Sequence, residues 1–178
     1  LKKWGEGAYT YAGCKLPDGN NEGVTYQFEH DRIIKLSNYA NGHKEGLEFE
    51  FEIGGGGHIF EYHADVRDGM AYSFVDRGVL GSAVTWKNNV RDGLALESMQ
   101  TAPRASTYVA DVRQGVTYTW GEKDDTFTIA NFVDGALEGE LHTFAATTGE
   151  LMALETYKRD QLNGLAVAYD VNGLRSAG

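Results

Sequence analysis

Cysteine is almost missing from this 178-residue chain, and Cys14 stands alone. A single thiol excludes an internal disulfide framework and a cysteine-built metal cage. A lone cysteine of this kind is expected to act as a small buried apolar group. Proline is nearly as scarce, with 2 residues against 23 glycines, and the glycines do not fall at every third place, which excludes a collagen-like chain. Long hydrophobic runs are absent, so no segment reads as a membrane-spanning helix. Positive charge is in deficit: 16 Lys and Arg stand against 26 Asp and Glu, for a net charge of −10. Such a surface repels nucleic-acid backbones and anionic membranes, and it either keeps the protein soluble or draws a basic partner. The chain starts at Leu1, without Met or a signal-like apolar core, which points to a trimmed or processed N-terminus. The cytoplasm is favoured over secretion or the cell surface. What is present is an aromatic content of 12% and a hydrophobic content of 42%, too high for a disordered chain. The length suits one domain, or at most two small ones.

The glycines are spaced, not scattered. Gly23, Gly46, Gly69, Gly93, Gly115, Gly139 and Gly164 form one column with intervals of 23, 23, 24, 22, 24 and 25 residues. Seven places before each stands an aromatic residue in all units but the first: Leu16, then Tyr39, Tyr62, Trp86, Tyr108, Phe132 and Tyr157. Four places before stand Gly19, Gly42, Asp65, Asn89, Asp111, Gly135 and Asp160, residue types that tolerate positive φ in tight turns. Five places after stand Phe28, Phe51, Phe74, Ser98, Trp120, Phe144 and Tyr169. Residues one, three and five after the glycine share one strand face, as in Leu47, Phe49 and Phe51 or Val116, Tyr118 and Trp120. Each unit therefore reads as a β-hairpin of about 23 residues, with segments such as Asn41–Gly46 joining its strands. Stacked hairpins are expected to bury a continuous aromatic column and to share stability between neighbours.

The pattern aromatic-x-x-(Gly/Asn/Asp)-x-x-x-Gly resembles the membrane occupation and recognition nexus (MORN) repeat. Tyr39-Ala-Asn-Gly42-His-Lys-Glu-Gly46 and Phe132-Val-Asp-Gly135-Ala-Leu-Glu-Gly139 are its clearest copies, and Gly5-Glu-Gly7-Ala-Tyr9-Thr-Tyr11 is similar to the tail of a preceding unit. The usual further glycine, two places after the column glycine, is replaced by Thr25, Glu48, Ala71, Ala95, Thr117, Leu141 and Ala166. The aromatic five places on, with Asn-Gly after it as in Tyr169-Asp-Val-Asn172-Gly173, is closer to the bacterial MORN-variant repeats. The resemblance implies an all-β fold, an elongated open array of about seven stacked hairpins in a single domain over residues 1–178. A partial unit would occupy 1–13, seven units about 14–170 and a further partial unit 171–178. It also implies a protein-binding role, for the bacterial variants as antitoxin or immunity components that neutralise a partner toxin. MORN proteins also include scaffolds and membrane-associated proteins.

Candidate sites follow from the columns. Two places before the glycine, Lys44, Arg67, Arg91 and Arg113 would form a basic ladder. Beside it would stand acidic residues, among them Glu45, Asp68 and Asp92. This is either a row of surface ion pairs or a stripe that recognises a partner. Most aromatics should be core, while Tyr26, Tyr72 and Tyr118, three places after the glycine in alternate units, could face a groove edge. His30, His43, His58, His63 and His142 match no metal motif and read as solvated. Gly54 to Gly57 lack the Gly-Lys-Ser/Thr of a phosphate loop and read as a flexible hairpin tip. No nucleophile motif is present, and acidic pairs such as Asp124 and Asp125 cannot be told from a polar turn. The expectation is a non-catalytic binding module without cofactor or metal. Its partner would be a protein, such as a basic toxin, rather than nucleic acid or a membrane. The alternative is a structural scaffold forming dimers or filaments through unpaired edge strands.

Overall fold

Two consecutive residues at positive φ make a type I′ turn, whose twist matches that of the strands it joins. The chain places such a pair at one end of its hairpins. Asn41 and Gly42 have φ of 51° and 85°, Ala64 and Asp65 47° and 68°, Asn88 and Asn89 51° and 65°. Ala110-Asp111, Asp134-Gly135 and Arg159-Asp160 repeat the conformation. Gly, Asn and Asp fill the second place because they enter this region at least cost.

The computed structural model describes residues 2–6, 8–121, 125–169 and 175–177. Gly7, Asp124 and the Asn172-Gly173 pair lie outside the described residues. The chain divides into two compact units, Leu1–Val90 and Arg91–Gly178. The first contains β1 (Lys2–Glu6), β2 (Tyr9–Lys15), β3 (Asn21–Glu29), β4 (Arg32–Ala40), β5 (His43–Phe51), β6 (Gly57–His63), β7 (Val66–Arg67), β8 (Gly69–Val75) and β9 (Val79–Lys87). β10 (Val90–Glu97) opens the second. It continues with β11 (Arg104–Val109), β12 (Val112–Trp120), β13 (Thr126–Val133), β14 (Ala136–Leu137), β15 (Gly139–Ala145), β16 (Leu151–Lys158), β17 (Gln161–Tyr169) and β18 (Arg175–Ala177). Within each unit the strands pair antiparallel with their sequence neighbours. β7 and β8 are two pieces of one strand against β6, and β14 and β15 are two pieces against β13. The fold is all-β, an open sheet of hairpins in each unit. Among the described residues no helix is long enough to cross a membrane.

The segment before the column glycine is not a connecting loop, as the sequence suggested. The turn needs only two residues, so His43 to Gly46 already belong to β5. The glycine sits in a bulge: Glu45, Gly46 and Leu47 together oppose Asn38, whose side-chain amide donates to the Glu45 carbonyl at 2.9 Å. The same geometry recurs where Ser106 meets Gly115 and its neighbours, and where Thr156 meets Gly164. All seven column glycines have positive φ, from 66° at Gly23 to 130° at Gly69.

On its other side the column glycine faces the aromatic of the next hairpin. Gly23 pairs with Tyr39, Gly46 with Tyr62 and Gly69 with Trp86 in the first unit. Gly93 pairs with Tyr108, Gly115 with Phe132 and Gly139 with Tyr157 in the second. Each of these glycines stands directly across the strand pair from the next repeat's aromatic, with no side chain of its own to crowd it. The two columns are thus halves of one contact between successive repeats.

The expected buried aromatic column is not formed. Tyr108 is the aromatic that reaches full burial, at 4% exposure, whereas Phe51, Tyr118 and Trp120 remain 46%, 41% and 43% exposed. Of the deeply buried places, Thr25, Glu48, Ala71, Ala95 and Thr117 lie on the other face, two residues after the column glycine, while Ala12, Ala83 and Val167 lie on the aromatic face, opposite Tyr26, Tyr72 and Leu154. Among the described residues no second layer packs on either face within a unit, so what is shielded is shielded by cross-strand neighbours and is either short or, like Glu48 and Tyr108, held by polar partners. Cys14 is exposed, not buried: β2 is irregular between Ala12 and Cys14, and Ala12 and Gly13 take the shielded places.

Candidate functional site

The basic ladder combines stacking with ion pairs: all four cations lie over rings, and Lys44 and Arg91 also pair with carboxylates. Each cation covers the aromatic of the following hairpin. In the first unit Lys44 Nζ lies 4.6 Å from the Tyr62 ring, and the Arg67 guanidinium lies 4.0 Å from Phe60 and 5.6 Å from Trp86. In the second, Arg91 lies 4.1 Å from Tyr108, and Arg113 lies 4.7 Å from Phe132. Such contacts contribute about 0.5–1 kcal/mol each at partly exposed sites. Arg91 also pairs with Asp111 at 3.0 Å. Burial lowers the Arg91 pKa, but the Asp111 hydrogen bond and the surrounding charges outweigh it and hold it above the ordinary arginine value.

The acidic column anchors the neighbouring turn. Glu45 Oε2 accepts from Ala64 N at 3.0 Å while Oε1 meets His63 Nδ1 at 2.7 Å. Glu22 receives Asn41 N in the same way, Gln114 receives Asp134 N and Glu138 receives Arg159 N. The turn residue returns the contact: Asp65 Oδ1 accepts from Lys44 N at 2.7 Å, and Asp111 Oδ1 from Arg91 N at 2.9 Å. Backbone hydrogen bonds toward Glu45 and toward Asp65 hold both carboxyls below the usual range, as the Arg91 amide does for Asp111. Asp68 is exposed and Asp92 half-buried, Asp68 donating its amide to the Glu61 carbonyl at 3.1 Å. The ladder thus ties repeat to repeat along the turns.

The histidines are exposed or half-buried, and four of them meet carboxylates: His43 with Asp65, His58 with Glu52, His63 with Glu45 and His142 with Glu140. His30 occupies the first place of the β3–β4 turn, with φ of 47°. Gly54 to Gly56 lie in the connection between β5 and β6, closed by Glu52 N donating to Gly56 O at 3.1 Å, and Gly57 opens β6. Among the described residues no cluster of His, Cys, Asp and Glu gathers metal ligands.

Tyr26, Tyr72 and Tyr118 sit mid-strand in apolar rows that cross their sheets. In the first unit one row runs from Tyr26 through Leu36, Phe49 and Ile59 to Tyr72. In the second, another runs from Leu96 through Ala105, Tyr118 and Ile129 to His142. Beside it Trp120, Phe127 and Phe144 stack in file, with ring centroids 6.4 and 4.9 Å apart. Leu47 and Phe51 flank the first row, each 46% exposed; Leu94 and Val116 flank the second at 52% and 44%. Each unit therefore shows solvent a face of apolar and aromatic side chains.

The opposite face carries a charged cluster that the columns did not single out. Glu48 is 2% exposed and meets Lys44 Nζ at 2.6 Å, Lys35 Nζ at 3.9 Å and the Ser37 hydroxyl, which donates to it. Burial pushes the Glu48 carboxyl up, but the hydrogen bonds from Lys44 and Ser37 and the two ammonium charges outweigh it and hold it below the usual glutamate range. Lys35 also grips Glu50. The signal was in the sequence: Glu48 is the one charged residue in its column. In the second unit Glu97 gathers Arg104 at 2.9 Å, Arg91 at 3.6 Å and the Tyr108 hydroxyl at 3.1 Å. No protein-family model matches this chain, and no curated protein matches it.

Proposed function

We propose that this chain is a non-catalytic repeat module that binds a protein partner through the apolar rows of its hairpins. One observation carries the reading: aromatic and aliphatic side chains stand in cross-strand rows with no layer over them, and Phe51, Tyr118 and Trp120 keep over two fifths of their surface. Exposed apolar patches of this kind mark interaction surfaces, and aromatic residues anchor them. The basic and acidic columns hold the repeats in register, leaving the rows free for contact. The net charge of −10 favours a basic polypeptide and would speed its encounter. Together with the MORN-variant resemblance, this makes neutralisation of a basic toxin the finer form of the proposal.

Binding to a panel of basic proteins, nucleases included, at low and high salt tests it. The expected result is salt-weakened binding that falls at least tenfold in Phe51→Ser and Trp120→Ser. Salt-insensitive binding removes the electrostatic part, and binding unaffected by both substitutions removes the apolar rows. Light scattering across a dilution series separates self-assembly: mass that rises with concentration and drops in the same variants would assign the rows to a second copy of the chain.

A further inference from the structure

On the apolar face, two cross-strand rows correspond place for place and differ sharply at one. In the second unit Trp120 pairs with Phe127, Phe127 with Phe144 and Phe144 with Leu151. In the first, Phe51 pairs with Gly57, Gly57 with Phe74 and Phe74 with Leu80. The second row is filled: the Phe127 ring lies 6.4 Å from Trp120 and 4.9 Å from Phe144, tilted by 24° and 16°. The first row has glycine where Phe127 stands, and the corresponding place in other hairpins holds Ile33, Leu80 and Leu151. Gly57 cannot be exchanged for a larger residue, because a Cβ there would collide with the Glu50 carbonyl oxygen. The gap is therefore built into the backbone. It is an open slot of about 170 Å³, lined by Phe49, Phe51, Ile59 and Phe74 together with Gly55 to Gly57. Phe74 is held along its own strand by Tyr72, at 6.4 Å and 26°, as Phe144 is by His142 at 6.1 Å and 15°. What Phe144 has and Phe74 lacks is the ring across the strand pair.

The walls select the occupant. Phe51 and Phe74 stand two strand spacings apart, about 9.5 Å, which leaves the thickness of one ring between them. A cavity of about 150 Å³ accommodates benzene, so this slot of 170 Å³ suits a single ring. An aliphatic side chain would fill the volume but forgo the ring-to-ring contacts that Phe127 makes in the second unit. The hairpin ends around the slot carry Glu29, Asp31, Glu52 and Asp76 against Arg32 and Arg77, and Arg32 is held on the Glu52 carbonyl at 3.1 Å. Glu52 stands at the rim: its carboxylate lies 3.2 Å from the place of a Cβ on Gly56, and its side chain is 59% exposed. A ring arriving here meets a carboxylate suited to a flanking lysine or arginine. A second copy of the chain would bring the same net charge of −10 and be repelled. We propose that the slot receives one phenylalanine or tyrosine side chain of a basic partner, with lysine or arginine beside it. The proposal rests on the reading of the apolar rows as the partner-binding face and names the residue that enters them.

Amide NMR shifts of the full chain, with Gly55, Gly56 and Gly57 as reporters, test it. The probes are the end-blocked tripeptides Lys-Phe-Lys, Lys-Leu-Lys, Lys-Ala-Lys and Glu-Phe-Glu at millimolar concentration. Lys-Phe-Lys should move these amides most, with Lys-Ala-Lys and Glu-Phe-Glu binding at least tenfold and Lys-Leu-Lys at least threefold more weakly. Phe74→Ala should weaken Lys-Phe-Lys at least tenfold. Phe51→Ala, at an exposed side chain, should do the same and decides the matter if Phe74→Ala fails to fold. Glu52→Gln should remove most of the preference over Glu-Phe-Glu. No movement with Lys-Phe-Lys, equal binding of Lys-Leu-Lys or Lys-Ala-Lys, or binding undiminished in both phenylalanine variants would each overturn the proposal. So would shifts that grow with protein concentration alone, which would assign the slot to a second copy. Trp120→Ser leaves the slot intact and keeps the two readings apart. A basic protein whose binding falls in Trp120→Ser but not in Phe74→Ala would overturn the slot and keep the rows. Lys-Phe-Lys bound, with no basic protein bound, would keep the slot and remove the rows as a partner face.

Discussion

The second and fourth repeats treat the same buried place in opposite ways. Two residues after the column glycine, the first unit sets Glu48 at 2% exposure, and the second sets Ala95 at 0%. Around Glu48 stand two lysines and a serine, each spending its polar group on the carboxylate. Around Ala95 stand Ser106 and Thr117, at 1% and 3% exposure and 3.4 Å from each other at their hydroxyls. The second unit has its carboxylate too, but Glu97 is 18% exposed and nearer the rim, with two arginines. A single-layer sheet shields this place by crowding of the neighbouring strands alone. The occupant must therefore be small, or charged and fully paired.

Making the second unit like the first without its lysines should have one of the two largest effects. Ala95→Glu sets a carboxylate where Ser106 and Thr117 leave no room and where Arg91, in the column place of Lys44, is already engaged by Asp111 and Glu97, and should cost about 3 kcal/mol by denaturant unfolding. A cost below about 1 kcal/mol would show that the place is wetter than its exposure implies. Removing a partner in the first unit should weigh as much. Lys44→Met leaves Glu48 with Ser37 and the more distant Lys35, and should cost about 3 kcal/mol, with Glu48→Gln in the same chain restoring part of it.

The column glycines supply a milder contrast. Gly69 has φ of 130° with the Glu61 side chain against the place of a Cβ, whereas Gly115 has φ of 72° and open space. Gly69→Ala should cost about 2–3 kcal/mol and Gly115→Ala about 1 kcal/mol. Equal costs would mean that the bulge relaxes at both places.

Acid should separate the units by a smaller margin. The folded carboxyls of Glu45, Glu48 and Asp65 in the first unit are held below their ordinary values, as is Asp111 in the second. A group with a depressed folded pKa contributes stability that is present above its unfolded pKa and is lost as pH falls through the folded one. Residue-resolved hydrogen exchange should therefore show the first unit losing protection earlier as pH drops through and below the carboxylate range. Glu48→Gln should flatten that part of its profile. Parallel loss in both units would remove Glu48 as the cause.

Much of the repeat was legible because its columns obey local rules. Positive φ favours Gly, Asn or Asp, so the turn places and the glycine column announced themselves, although the column read as the end of a connecting segment and not as a bulge. The aromatic column was legible as a column, but its partner was not. That Tyr62 stands opposite Gly46 and under Lys44 depends on register between hairpins, which a single repeat does not reveal. The choice of face misled for the same reason. Alternation separates Leu47, Phe49 and Phe51 from Glu48, but it cannot say which side is shielded when neither side carries a second layer. The apolar side read as core, yet Phe51, Tyr118 and Trp120 stay exposed on it; most of the buried places lie on the side with a glutamate. For the candidate sites, the basic and acidic columns were found as residues, but their contacts, cation over ring for Lys44, Arg67, Arg91 and Arg113 and carboxylate on turn amide for Glu45, follow from register between hairpins.

By itself the sequence determined the all-β class, the hairpin period and the turn positions, because each rests on the pattern and backbone freedom of individual residues. Tertiary structure alone decided where the sheet shields its side chains, what the charged columns touch and that Asn21 Oδ1, Thr25 Oγ1 and Arg113 Nε are buried without hydrogen-bond partners. Those follow from register between strands some 20 residues apart, as between Gly46 and Tyr62, and each one-residue step in that register moves a side chain to the other face.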